Sequence, residues 1–228
     1  MRINLYIAKA TGLSRRMADR AITERHVKVN GQLAALGSQV RAGDRVTYND
    51  HLLELQSVTQ TIMLNKPVGY VCSRDGQGSQ TIYDLLPEEL HQLKPVGRLD
   101  KDSSGLLLLT NDGLLANQLT HPSFNKEKVY EVWLNKPLLD ADKLKIEKGI
   151  RLDDGMSKLS LQQIEHSKQK IEIPNNPNSY FLVSMTEGRN RQIRRTFAAL
   201  GYKVLNLNRL KFGQYSLGSL QLGKYITL

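Results

Sequence analysis

Cysteine is almost absent from this chain of 228 residues, in which Cys72 is the only one. A single thiol excludes an internal disulfide and any metal site that needs several cysteines. Cys72 stands in the apolar stretch Tyr-Val-Cys at residues 70–72, so we expect a small buried side chain rather than a reactive thiol. The five histidines show no spacing typical of metal ligands. We therefore expect no bound metal.

Long hydrophobic runs are missing as well. The longest, four leucines at residues 106–109, is far too short to span a bilayer and fits a buried strand. The first residues lead into a mixed polar and apolar segment and lack the apolar region of a secretion signal. These absences favour a soluble protein with no membrane partner, and we expect a cytoplasmic location.

Negative charge is in deficit. The chain has 22 Asp and Glu against 32 Lys and Arg, which leaves a net charge of +10. A surplus of this size favours a polyanionic partner, because each neutralised phosphate releases condensed counterions. The alternative is a soluble protein that merely carries a positive surface. With 40% hydrophobic and 24% charged residues, the chain has enough apolar side chains for a packed core.

Residues 1–56 have the pattern of a small module of their own. A first helix begins near Leu5 and should stop at Gly12, and Ser14 stands where the N-cap of a second helix belongs. On that second helix, four apolar residues have the spacing of a core face: Met17, Ala18, Ala21 and Ile22. Alternating valines then lead to Asn-Gly at residues 30–31, a strong signal for a tight turn. The pattern predicts two helices followed by a small hairpin sheet.

Residues 57–228 have a larger and mixed pattern. The predicted strands lie at residues 62–64, 106–110, 129–134, 159–164, 169–173, 180–185, 204–207 and 225–228. Helices are predicted at residues 114–119, at 141–146 with Asp140 as a cap, and at 190–200. A loop is predicted at 174–178. Strands outnumber helices and mostly connect through turns, which predicts an α+β fold with a mainly antiparallel sheet.

A polar loop directly before the leucine run carries the first candidate site. Residues 97–105 read Gly-Arg-Leu-Asp-Lys-Asp-Ser-Ser-Gly, and a charged, glycine-flanked loop on a rigid strand is a usual place for function. Asp100 is the candidate catalytic carboxylate. The alternative is a surface ion pair, which is the more common fate of an aspartate among basic residues.

A second candidate site is rich in arginine. Residues 187–195 read Glu-Gly-Arg-Asn-Arg-Gln-Ile-Arg-Arg and lie at a predicted junction between a turn and a helix. Cationic side chains together with free backbone N–H groups at such a junction suit phosphate binding. The alternative is a solvated helix start without a ligand.

Four ordered segments carry a resemblance to a known family. They are Leu-Asn-Lys-Pro-Val-Gly at 64–69, Gly-Arg-Leu-Asp at 97–100 with Ser-Gly-Leu-Leu-Leu-Leu-Thr-Asn-Asp-Gly at 104–113, Lys-Val-Tyr-Glu-Val at 128–132, and Gly-Arg-Asn-Arg-Gln-Ile-Arg-Arg at 188–195. Together they resemble the pseudouridine synthases that modify ribosomal RNA. Ser-Arg-Arg at 14–16, Ala18 and Val-Lys-Val-Asn-Gly at 27–31 are similar to the RNA-binding fold of ribosomal protein S-four. The resemblance implies a small RNA-binding domain at residues 1–56 and a catalytic domain at residues 57–228.

The resemblance implies roles for three catalytic residues. Asp100 corresponds to the nucleophilic aspartate, and Arg194 corresponds to the basic residue paired with it. Tyr130 corresponds to the tyrosine that packs on the target base and is a candidate for proton transfer. The implied reaction isomerises a specific uridine to pseudouridine after the base has been flipped out of the RNA. Because the product is an isomer, we expect no cofactor.

Other residues are expected to contact RNA rather than to carry chemistry. They are Ser14, Arg15, Arg16, Arg20, Lys66, Arg98, Arg189, Asn190, Arg191 and Gln192. The implied partner is ribosomal RNA or a ribosome assembly intermediate, bound by a monomer. The target uridine and the ribosomal subunit stay open, as does whether Asp100 attacks the base or the sugar.

Two functions from other classes compete with this hypothesis. One is a catalytically silent RNA-binding or ribosome assembly protein, and the intact set of Asp100, Tyr130 and Arg194 favours an enzyme over it. The other is a metal-dependent nuclease with Asp100 and Asp102 as ligands. Lys101 between the two aspartates and the lack of further clustered carboxylates disfavour the nuclease.

Overall fold

The chain folds into two units. A computed structural model describes residues 1–55, 59–164 and 179–228. The compact units are Met1–Thr59 and Gln60–Leu228. None of the helices in the described parts of the chain has the length and apolar character that a membrane span requires.

The first unit consists of two helices and a small sheet. Its elements are α1 (Ile3–Thr11), α2 (Arg15–Thr23), β1 (Val27–Val29), β2 (Gln32–Leu33), β3 (Val46–Tyr48) and β4 (His51–Leu52). The sheet order is β2-β1-β3-β4, and all neighbours are antiparallel. The helices pack on the sheet through a core formed by Ile3, Ile7, Ala18, Ala21, Ile22, Val27, Val40 and Val46.

The helix ends of this unit follow from local chemistry. Gly12 ends α1 in a left-handed conformation (φ 76°), and the Ser14 hydroxyl caps α2 by accepting a hydrogen bond from the Met17 N–H at 3.1 Å. The prediction that Met17 is a core residue is wrong, because its side chain is 55% exposed. Ala18 and Ile22 share the buried face of α2, and the preceding position lies about 100° away around the helix.

The second unit contains eleven strands and three α-helices among the described residues. The strands are β5 (Thr61–Lys66), β6 (Lys94–Val96), β7 (Ser104–Thr110), β8 (Lys128–Leu134), β9 (Ile150–Leu152), β10 (Gly155–Ser157), β11 (Ser160–Gln163), β12 (Tyr180–Met185), β13 (Val204–Phe212), β14 (Tyr215–Ser216) and β15 (Tyr225–Thr227). The helices are α3 (Gly113–Thr120), α4 (Asp140–Lys148) and α5 (Gln192–Ala198). Short 3-10 turns lie at Ile82–Leu85, Glu88–Leu90 and Pro122–Phe124.

Nine of these strands form one sheet, and β9 and β10 form a separate hairpin. The order along the sheet is β11-β12-β8-β13-β7-β5-β15, with β14 beside β13 and β6 beside β7. Among the described strands, β7 and β13 form the one parallel pair. The predicted α+β fold with a mainly antiparallel sheet is therefore confirmed.

Strand β7 is buried on both faces. Leu107 and Leu109 belong to the large core on one side of the sheet, and Leu106 and Leu108 belong to a smaller core on the other. Successive side chains of a strand point to opposite faces, so a run of four leucines needs apolar cover on both sides. The Asp100 loop runs directly into this strand and therefore has a rigid support.

Several predicted element ends shift in the structure. α5 is shorter than the predicted 190–200 because Arg191, which precedes it, has a left-handed backbone conformation (φ 46°). Asp140 lies inside α4 instead of capping it, and the N-cap position is Leu139. Three predictions lie outside the described residues: the strand at 169–173, the loop at 174–178 and the domain boundary between residues 56 and 57.

Candidate active site

A cleft of about 480 Å³ in the second unit brings together segments that are distant in sequence. Its lining comes from residues within 97–103, 119–130, 185–193 and 207–209. Seven of the residues predicted as site residues line it: Arg98, Asp100, Tyr130, Arg189, Asn190, Arg191 and Gln192. Lys66 and Arg194 are not among the lining residues.

The Asp100 loop is held from below by a buried lysine. Lys66, the last residue of β5, is 0% exposed. Its ammonium group donates to the carbonyl oxygens of Pro67 at 3.0 Å, Asp100 at 3.0 Å and Ser103 at 2.7 Å. A further backbone hydrogen bond, from the Ser103 N–H to the Asp100 carbonyl at 3.1 Å, closes the turn. The ammonium group thus joins both ends of the turn that presents the Asp100 side chain.

The prediction that Lys66 contacts RNA is wrong. An ammonium group has three donors, and all three are used inside the protein. Burial lowers the pKa of this lysine, which reflects the cost of keeping a charge away from water. Lys66 holds the backbone of the Asp100 loop.

Lys66→Met should lower the free energy of unfolding by about 3 kcal/mol, because it removes three charge-assisted hydrogen bonds from a buried turn. Urea denaturation followed through Trp133, the only tryptophan, measures the change in the second unit. Lys101→Met is the matched control, since the Lys101 ammonium lies on the exposed side of the same loop and donates to the Ser79 hydroxyl. Equal stability of the two variants would contradict the positioning role.

Arg191 and Asp102 form a charged pair beside the Asp100 carboxylate. Arg191 donates to both oxygens of Asp102 at 2.8 Å, and its Nη1 lies 3.6 Å from Asp100 Oδ2. The hydrogen bonds from Arg191 lower the pKa of the Asp102 carboxyl below its ordinary value. The Asp100 side chain is 33% exposed, so it is reachable from the cleft.

The expected ion pair between Arg194 and Asp100 is not formed in the structure. Arg194 donates to the backbone carbonyl oxygens of Asp102 at 2.6 Å and Val204 at 2.9 Å, and its Nε lies 3.3 Å from the Asp102 carboxylate. Burial lowers the pKa of the Arg194 guanidinium. Arg194 thus stabilises the loop through its contacts with Asp102, while the guanidinium of Arg191 is the positive charge nearest to the Asp100 carboxylate.

This arrangement also bears on the metal-dependent nuclease. The Arg191 guanidinium lies between the two aspartates that would have to share a cation. Both Asp102 oxygens accept hydrogen bonds from it, and its positive charge would repel a metal cation. The geometry therefore disfavours the nuclease.

Tyr130 lies on β8 opposite Arg209 of β13 and Val183 of β12. Its side chain belongs to the large core and is 8% exposed, yet it also lines the cleft. A core position and a cleft position are thus combined in one residue, which fixes the ring in place. A fixed aromatic ring at the cleft wall suits stacking on a planar base.

The turn before α5 is held by the protein itself. Arg189 contacts the carboxylates of Asp154 at 2.8 Å and Glu187 at 3.2 Å and the Met156 carbonyl at 2.7 Å. Gln192 is 2% exposed and is hydrogen-bonded to Glu187, to Ser157 and to the Arg189 N–H. Both side chains therefore shape the cleft wall, and their predicted contacts with RNA stay predictions.

Other predicted contact residues are accessible. Arg98 and Asn190 are exposed at the cleft. In the first unit, Ser14, Arg15, Arg16 and Arg20 are all exposed. The Ser14 hydroxyl is used as the cap of α2, and Arg20 forms an ion pair with Glu24 at 2.7 Å. Arg15 and Arg16 are the residues of this group best placed to meet a phosphate.

Four charged residues that line the cleft were not predicted as site residues: Lys126, Lys128, Glu187 and Arg209. Arg209 is 2% exposed and lines the cleft on β13, on the same face as Leu207. The period of two along a strand could have revealed it, because an arginine there occupies a position at which an apolar residue is expected. The role of Asp102 as the partner of Arg191 needed the tertiary structure.

Comparisons with known proteins agree on one family. The sequence model described as RNA pseudouridylate synthase matches residues 60–199, and the S4 domain model matches residues 1–46. A crystal structure of a pseudouridylate synthase, 34% identical in sequence, has a TM-score of 0.70 and covers 100% of this chain and 96% of that one.

Two named relatives are similar over nearly their full length. The chain is 38% identical to the ribosomal small subunit pseudouridine synthase A of Haemophilus influenzae, over 99% of this chain and 94% of the relative. It is 36% identical to the ribosomal large subunit pseudouridine synthase B of Bacillus subtilis, over 97% of this chain and 89% of the relative. The chain therefore belongs to the RNA pseudouridylate synthase family, a family of isomerases that act on RNA, and carries an S4 domain in its first unit.

Proposed function

We propose that this protein converts a specific uridine of ribosomal RNA to pseudouridine, with Asp100 as the nucleophile. The observation that carries the proposal is the position of Asp100 in a basic cleft that Tyr130 also lines, on a loop whose backbone is held by Lys66. The named relatives act on small or large subunit RNA, so either is a candidate substrate. The cytoplasm, where ribosomal RNA is found, is the proposed location. The expectation that the protein acts as a monomer stays a prediction.

The reaction explains the need for a nucleophile. The bond between N1 of uracil and the ribose must break, the base must rotate, and a bond from C5 to the ribose must form. A carboxylate can hold one fragment covalently while the base turns. Arg191 places a positive charge beside that carboxylate, and Asp102 keeps Arg191 there.

The substrate base must leave the RNA stack to reach Asp100. Tyr130 offers a ring at the cleft wall on which the flipped base can stack. The product has the same atoms as the substrate, because the hydrogen lost from C5 is balanced by the proton gained at N1. No oxidant, reductant or energy source is needed, and we propose that the enzyme uses no cofactor.

Release of tritium from RNA labelled at C5 of uridine tests the proposal directly, since this hydrogen is lost only when the new carbon–carbon bond forms. Purified protein should release tritium from one ribosomal RNA or from a precursor particle. Mapping of pseudouridine in ribosomal RNA, with and without the gene, should then show one site that depends on it. An inactive wild-type protein on every such RNA would favour a silent RNA-binding function instead.

We further propose that the S4 domain supplies affinity through Arg15 and Arg16. Changing both to Ala should weaken RNA binding and flatten the plot of log affinity against log salt by about 1 unit for each lost phosphate contact. Fluorescence anisotropy at several salt concentrations measures the slope. The control changes both to Lys, which keeps the charges and should keep the slope. An unchanged slope in the Ala variant would show that this helix does not touch the RNA backbone.

A further inference from the structure

Arg209 is a buried cation at the cleft with an unused donor. Its Nε donates to the Leu106 carbonyl at 2.8 Å, and its guanidinium carbon lies 5.0 Å from the centre of the Phe212 ring. Its Nη2 is buried and has no hydrogen-bond partner. Burying an unpaired donor of a charged group is costly, so such a donor in a cleft indicates a binding site for an acceptor oxygen.

The position of Arg209 is rigid. Its backbone pairs with Tyr130 of β8 on one side and with Gly105 of β7 on the other. A Cβ atom at Gly105 would lie 2.3 Å from the Arg209 carbonyl oxygen, so only glycine permits this approach of the two strands. Arg209 is therefore held between the strand of Tyr130 and the strand that follows the Asp100 loop.

Two lysines lie in the electrostatic surroundings of Arg209. No carboxylate in the described residues lies within ion-pair distance of it. Lys128, which also lines the cleft, has a pKa lowered first by burial and then by the charge of Arg209. Lys66 lies nearby and is likewise affected by that charge. A ligand that brings acceptor oxygens would relieve this repulsion.

We propose that Arg209 binds a carbonyl oxygen of the flipped uracil through its free Nη2. This inference rests on the proposed function, because it names a contact to the substrate of that same site. A carbonyl oxygen and a phosphate oxygen share the required acceptor chemistry. Arg209 is 2% exposed and lies beside Tyr130, so the group that reaches this depth is the base rather than the RNA backbone.

The contact would strengthen during the reaction. If Asp100 attacks the base, or if the glycosidic bond breaks with its electron pair going to the base, negative charge develops on the uracil carbonyl oxygens. A fixed donor stabilises that charge more than it stabilises the neutral ground state. The prediction is therefore an effect on turnover, since most RNA affinity comes from phosphate contacts elsewhere.

Arg209→Met should lower kcat for tritium release by about 100-fold, the effect typical of losing one such donor, while KM for RNA changes by less than about 3-fold. Arg209→Lys keeps the charge and should retain more activity than the Met variant. Lys211→Met is the control, because Lys211 lies on the same strand but its ammonium group forms an ion pair with the Glu127 carboxylate, with Nζ 3.0 Å from Oε2. Wild-type kcat in Arg209→Met would overturn the inference.

A binding experiment tests the contact without turnover and covers the case in which Arg209→Met does not fold. Uridine 5′-monophosphate is titrated into ¹⁵N-labelled wild-type protein, and the Arg209 Nε–H signal is identified by its absence in Arg209→Lys. The signal should shift with the nucleotide and not with ribose 5-phosphate, which lacks the base. Equal shifts with both ligands would assign Arg209 to phosphate, and no shift with either would leave it a structural residue; both results overturn the inference. If wild-type protein releases no tritium from any RNA, the proposed function fails, and this titration alone decides the role of Arg209.

Discussion

Asp100→Asn should abolish pseudouridine formation, with tritium release reduced by at least about 10⁴-fold, as is typical when a nucleophile is removed. The amide keeps the shape of the side chain and part of its hydrogen-bonding capacity but has no anionic oxygen. The ion pair that it loses is long, 3.6 Å to Arg191, and partly exposed. The free energy of unfolding should therefore change by less than about 1 kcal/mol.

Three measurements make this result specific. The variant should bind ribosomal RNA nearly as well as wild type, and its urea unfolding curve should match. Asp140→Asn is the control for loss of a carboxylate from the same unit, because Asp140 is an exposed residue of α4 outside the cleft, and it should keep full turnover. Substantial tritium release by Asp100→Asn would contradict the covalent carboxylate and direct attention to Asp102.

Tyr130→Phe should reduce turnover by about 10²–10⁴-fold while RNA affinity holds. The ring, which the core fixes in place, remains available for stacking, and only the hydroxyl is lost. If this hydroxyl moves a proton at C5 of the base, its loss acts on the chemical step and not on binding. Single-turnover tritium release with excess enzyme separates an effect on the chemical step from an effect on RNA binding.

The control is Tyr83→Phe. Tyr83 is buried to a similar degree, 7% exposed against 8% for Tyr130, and its hydroxyl donates to the Leu93 carbonyl outside the cleft. Its loss should cost stability and leave turnover unchanged. Wild-type turnover in Tyr130→Phe would reduce Tyr130 to a packing and stacking role.

Features with a local cause were predictable from the sequence. Ser14 caps α2 because its own hydroxyl reaches the first turn, and Gly12 ends α1 because it tolerates a left-handed conformation. The fold class followed from the alternation of apolar residues and from turn signals. The family followed from motif order, which placed Asp100 and Tyr130 in what proved to be one cleft.

The partners of the charged residues were decided by the tertiary structure alone. Lys66 looked like an RNA contact, but β5 and β7 bring it under the Asp100 turn, where three carbonyl oxygens use all its donors. Arg191 rather than Arg194 lies nearest to Asp100. Arg191 precedes α5 in a left-handed conformation and contacts the Asp100 carboxylate, whereas Arg194 lies within α5 and contacts the Asp102 carboxylate.

The range of the interactions explains why the sequence predicted some features and only the tertiary structure decided the others. Periodicity, caps and turns depend on residues a few positions apart, so the sequence by itself predicted the fold class and the longer elements, but not the short strands β6, β9, β10 and β14. The nucleophile candidate followed from the resemblance of the motifs to a known family. An ion pair or a buried hydrogen bond depends on distances of a few ångströms between residues that are here 34 to 103 positions apart in the chain. Only the packed sheet sets those distances, and it therefore decided which cations hold the Asp100 loop, which one lies nearest to the Asp100 carboxylate, and that Nη2 of Arg209 is buried without a hydrogen-bond partner.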